Sequence, residues 1–129
     1  MKFAIRNKKT GNLIAEGDGD KLRDFVEANK TNLEEADLQK MDLWGVNLRG
    51  ANLKGADLRG AILKAADLRE ANLQGADLRA ADLQKADLHN ADLTDVVLGW
   101  TNLRGADLTD MKTNKQDDIL KCQRNEDPK

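Results

Sequence analysis

A leucine recurs at every fifth residue from Leu33 to Leu108, through sixteen consecutive five-residue units that fill residues 31–110. That period excludes the usual ways of building a core. Five residues advance roughly 500° around an α-helix, a net rotation of about 140°, so the leucines would visit every face and form no stripe. A long flat strand fails too. Side chains alternate with period two, so an odd period throws successive leucines to opposite faces. Within one unit, however, the leucine and the residue two places before it share a face. Very short extended pieces separated by corners satisfy both spacings. Every leucine then points to one interior, and the chain must coil.

The other positions of the repeat agree. Eleven units carry Ala two residues before the leucine. Fourteen carry Asp or Asn immediately before it, the exceptions being Ile62 and Val97. Gly fills the fifth position in six units, as a tight corner favours.

This A-[DN]-L-x-x pattern, as in "ANLKGADLRGAILKAADLREANLQGADLRAADL" from Ala51 to Leu83, resembles the pentapeptide-repeat family. The resemblance implies an all-β solenoid: a right-handed quadrilateral β-helix, four units to a coil, hence about four coils. At the usual strand separation such a rod is roughly 15–20 Å tall. It would bury a dry column of Leu and Ala, each buried leucine contributing roughly 1.5–3 kcal/mol. A chain with 3% aromatic residues and a mean hydropathy of -0.69 thereby acquires a core.

The repeats divide the chain. Residues 1–30 read as an N-terminal cap, since an uncapped end exposes backbone and core leucines. "MKFAIR" and "NLIAE" flank "NKKTG", a hairpin signal with Gly11 in the turn. Asp20 is the expected N-cap of a helix over residues 21–28, with Leu22, Phe25 and Val26 on its buried face and Asn29 ending it. The five departures from Ala in the small-residue column, Thr31, Met41, Val46, Val96 and Thr101, fall in the first and last coils, where caps must fit. Residues 111–129 form a tail in which Ile119, Leu120 and Cys122 predict a short docking helix, frayed from Asn125.

Motifs for chemistry are missing. The one histidine, His89, has no neighbouring ligand cluster and reads as an ordinary surface residue. Cys122 has no activating base nearby in sequence and no second cysteine for an intrachain disulfide. "DGDKLRD", from Asp18 to Asp24, lacks the Gly and terminal Glu of a calcium-binding EF-hand loop. The expectation is therefore no enzyme, no catalytic residue, no metal and no cofactor. A formal charge of -2 draws the chain to neither nucleic acid nor anionic membrane. With no signal peptide or membrane-length apolar run, a cytoplasmic protein is expected.

Folding the surface into columns of residues twenty apart places acidic columns beside basic ones and gives an amide column of Asn32, Asn52, Asn72 and Asp92, suited to hydrogen bonding from coil to coil. The resemblance also brings in those family members that mimic DNA and protect gyrase from quinolones. A DNA mimic needs an uncompensated acidic surface. Residues 31–110 hold fourteen acidic and nine basic side chains, intermixed. The leading expectation is thus a non-catalytic protein-binding or scaffolding module, with the gyrase-directed mimic as the alternative. Trp44, Ile62, Val97 and Trp100 are the large apolar residues at outward positions, and form the candidate protein-binding patch unless the terminal segments cover them. Arg49, Arg59, Arg69 and Arg79 form a second candidate, a basic face.

Overall fold

The computed structural model describes residues 2–18 and 22–124. Its strands are β1 (Lys2–Arg6) and β2 (Leu13–Asp18), and its α-helices are α1 (Leu22–Ala28) and α2 (Gln116–Gln123). A single 3-10 turn, Lys30–Asn32, leads into the repeats.

The expected all-β solenoid, a right-handed quadrilateral β-helix, is corrected by these elements. The sheet is an open, two-stranded antiparallel pair of β1 and β2, and two helices accompany it. The repeats contain isolated single-residue parallel bridges in place of strands. The reason lies in the corners. All sixteen fifth positions, from Glu35 to Asp110, have φ between 56° and 72°. A left-handed residue every five interrupts each extended run before a second residue can join the ladder. The leucine carbonyl closes most corners by accepting the N–H three residues on, as from Ala56 to Leu53 at 3.0 Å.

The bridges run twenty residues apart in four series. Asp37, Asp57, Asp77 and Val97 mark the first side of each circuit; Asp42, Ile62, Asp82 and Asn102 mark the second. Asn47, Asp67, Asp87 and Asp107 mark the third, and Asn52, Asn72, Asp92 and Lys112 the fourth. Around each bridge, backbone bonds such as Leu58 N–H to the Asp77 carbonyl and Asp77 N–H to the Ala56 carbonyl join successive circuits.

The core is the leucine column with its small companions. Leu33 to Leu93 are fully buried at every fifth position, as is Leu103; Leu98 is 7% exposed and Leu108 half-buried. Thr101, buried among them, donates its hydroxyl hydrogen to the Leu78 carbonyl at 2.6 Å. Ile5 and Val26 join this core from the N-terminal segment, and Ile119 and Cys122 from α2.

The N-terminal segment takes up backbone groups of the first circuit. Asp37 N–H donates to the Arg6 carbonyl, Asn52 N–H to the Lys30 carbonyl, and Asn47 N–H to the Glu27 carboxylate, all within 2.9 Å. In the hairpin, Asn7 Oδ1 accepts from the Lys9 and Thr10 N–H groups, while Gly11 takes φ 75°. Phe3 and Phe25 pack with ring centroids 5.7 Å apart. Val26 is fully buried, Leu22 and Phe25 are half-buried, and Asn29 donates its side-chain amide to the Phe25 carbonyl. At the other end, Leu103 N–H donates to the Cys122 carbonyl at 3.3 Å. Leu120, expected to dock, is 41% exposed. The expected cap at Asp20, the helix start at Lys21 and the tail from Asn125 lie outside the described residues.

Candidate interaction surface

The Asp or Asn before each leucine has a local task. In thirteen units its Oδ1 accepts the backbone N–H two residues on, at 3.0–3.3 Å, as from Gln39 to Asp37 and from Thr109 to Asp107. These Asx-turns start thirteen of the sixteen corners. Asn52, Asn72 and Asp92 of the amide column expected to bond from coil to coil are used this way instead, with one cross-circuit bond, from Gln74 Nε2 to Asp92 Oδ2 at 2.6 Å. Only the type of residue, not its task, was visible in the spacing.

Where arginine follows Asp-Leu, a bidentate pair forms. Arg59 grips Asp57 with bonds of 2.9 and 2.7 Å, and Arg69 and Asp67 repeat this geometry. Arg79 holds Asp77 likewise, and Arg49 bonds Glu70 at 2.9 Å. The Arg59 hydrogen bonds hold Asp57 below its usual pKa, against the opposing effect of burial; those from Arg69 do the same for Asp67. All four residues of the candidate basic face are thus partnered by carboxylates of the same chain. They also divide between two sides: Arg59 and Arg79 on the first, Arg49 and Arg69 on the third.

The apolar candidates are distributed differently. Trp44 is 52% exposed, Ile62 40%, Val97 45% and Trp100 63%. The described parts of the terminal segments therefore leave both tryptophans open. Arg23 of α1 does reach the first of them, donating to the Trp44 carbonyl at 2.8 Å. The Asp42–Ile62 bridge sets Trp44 and Ile62 on neighbouring circuits of the second side. Trp100 stands at the corner where the first side meets the second, stacked above Lys40, Gly60 and Ala80 in the corner column. Val97 lies just around that corner. A shallow groove of about 330 Å³, lined by Gln39, Lys40, Arg59, Gly60, Arg79 and Ala80, follows the same corner. The third and fourth sides carry no comparable apolar residue among the described positions.

The units of Ile62 and Val97 are the two with no Asp or Asn before the leucine. Neither the Lys64 nor the Gly99 N–H has a protein acceptor among the described residues. Each site thus exchanges a turn-forming hydrogen bond for an exposed branched apolar side chain.

Among the described residues no group of three or more His, Cys, Asp or Glu is placed to hold a metal ion. Among the described residues no helix is long and apolar enough to cross a membrane.

Leucine-centred five-residue units with buried leucines, Asx-turn corners and a polar exterior define a repeat protein. The family model for pentapeptide repeats matches residues 31–70 and 71–110, and the chain belongs to that family. Two solved cyanobacterial structures are similar. HetL of Nostoc sp. strain PCC 7120, a pentapeptide-repeat protein involved in heterocyst differentiation regulation, is 40% identical over 59% of this chain, with a TM-score of 0.58. Rfr23 of Cyanothece 51142 is 35% identical over 61% of it, with a TM-score of 0.52. The matches span 35% of HetL and 60% of Rfr23. No curated protein matches this chain.

Proposed function

We propose that this chain is a binding or scaffolding module that holds a protein partner on the second side and its Trp100 corner. The observation that carries this reading is the collection of Trp44, Ile62 and Trp100, with Val97 beside them, on one side of an otherwise polar surface. Tryptophan is enriched at the energetic centres of protein interfaces, and outward apolar clusters on polar proteins mark contact sites. Residues 1–30 serve as the cap of the first circuit in this reading, and residues 111–129 are the C-terminal tail, whose helix α2 packs against the last. The module is cytoplasmic.

The DNA-mimic alternative is weaker. The Arg59–Asp57, Arg69–Asp67 and Arg79–Asp77 pairs neutralise the acidic columns that such a mimic would present. The test compares wild type with Trp44→Gln in affinity recovery of partners from the source cell. Loss of a specific partner at an unchanged unfolding midpoint supports the reading. Undiminished recovery overturns it and moves the search to the arginine-bearing sides.

A further inference from the structure

Charge distinguishes the second side as well. Counted with its two corner columns over residues 35–112, it carries four cations, Lys40, Lys64, Lys85 and Arg104, against two carboxylates, Asp42 and Asp82. The same count gives three cations against five carboxylates on the first and third sides, and two against five on the fourth. Arg23 adds a fifth positive charge where it bonds the Trp44 carbonyl. None of these five cations makes an ion pair with a described residue, whereas Arg49, Arg59, Arg69 and Arg79 all do. An acidic protein thus has one side that is both positively charged and apolar.

We infer that the second side docks an acidic peptide segment of the partner, one that carries large apolar residues among its Asp and Glu. This inference rests on the reading of that side as the contact surface. Ile62 and Trp44 supply the apolar centre, and Lys40, Lys64, Lys85, Arg104 and Arg23 supply a rim for carboxylates. Trp44 and Trp100 lie three circuits apart, roughly 14 Å at ordinary strand spacing, so an extended stretch of about four or five residues reaches from one to the other. The small corner residues Gly45, Gly60, Ala65 and Ala80 leave the side flat enough for a chain to lie across it. Unlike the paired arginines, this rim needs no internal ion pair to be broken before it meets the ligand's charge.

A displayed library of random twelve-residue peptides is selected on the full chain, and the enriched peptides are synthesised and titrated against tryptophan fluorescence. Trp44 and Trp100 are the sole tryptophans and the chain has no tyrosine, so the signal arises at the proposed surface. Two variants accompany the wild type. Ile62→Asn removes the apolar contact while supplying the missing Asx acceptor, and Lys64→Glu reverses one rim charge. The expected result is enrichment in Asp and Glu interspersed with Leu, Phe or Trp, with binding weakened about tenfold or more by each variant. Salt should weaken it further. Peptides that depend on Ile62 but are neutral or basic overturn the acidic-ligand inference and leave the contact surface standing. Peptides indifferent to Ile62→Asn, or no enrichment at all, overturn both. A single-stranded oligonucleotide that binds with the same dependence on Lys64 and Ile62 assigns the side to nucleic acid and also overturns the inference.

Discussion

Ten of the sixteen corners hold a residue other than glycine in the left-handed region, and the strain this implies can be measured at sites chosen for their surroundings. Gly75 has φ 67°, and a Cβ built there meets no atom within 4 Å. Gly75→Ala therefore reports the backbone alone. The left-handed conformation costs an L-residue roughly 1–2 kcal/mol, while the stiffer unfolded chain returns about 0.4–1 kcal/mol. The net expectation is a loss of roughly 0.5–1 kcal/mol, a shift of a few tenths molar in the urea midpoint. At Gly55 the same Cβ would run into the Glu35 carboxylate. That carboxylate is held by Lys8 and Lys9 at 3.7 and 3.4 Å, so Gly55→Ala should cost more. Ala65 has φ 60° and an exposed side chain, so Ala65→Gly should reverse the sign and raise the midpoint by a similar small amount. Urea unfolding of the three variants beside wild type gives the order directly. A Gly75→Ala midpoint equal to or above wild type refutes the corner argument.

Two further outcomes follow from the folded contacts. Asp57 is 4% exposed and held below its usual pKa of 3.8 by hydrogen bonds from Arg59, so its contribution is present above that value and is lost as pH falls below about 4. Asp57→Asn keeps the turn acceptor but drops the charge, and should cost roughly 0.5–1 kcal/mol at pH 7 for a pair half open to solvent. The gap between the two proteins should close towards pH 3, and a gap independent of pH contradicts the assignment. Deleting residues 1–30 should strip Ile5 and Val26 from the core and release the Asp37, Asn47 and Asn52 N–H groups, giving a protein that self-associates in light scattering. A soluble monomer with an unchanged melting temperature makes the segment an appendage.

The sequence by itself determined the inside, the corners and the family. A five-residue period is a local, repeated constraint, and it fixes which side chain faces inward whatever lies next to it. It also marked Ile62 and Val97, because both break a column of Asp and Asn. Tertiary structure decided what distance in sequence conceals. Whether extended pieces join into strands depends on the run length left between two left-handed residues, and that run proved too short. Whether Arg59 is an open cation or the partner of Asp57 was settled by the side-chain torsions that turn its guanidinium back onto the carboxylate two residues earlier. Whether Trp44 is covered depends on where α1 comes to rest. Arg23 touches the backbone carbonyl of Trp44 and leaves its indole exposed, and Glu27 caps Asn47 from twenty residues away. Periodicity describes the chain against itself one step at a time. Exposure and pairing are set by segments that meet only in the folded chain.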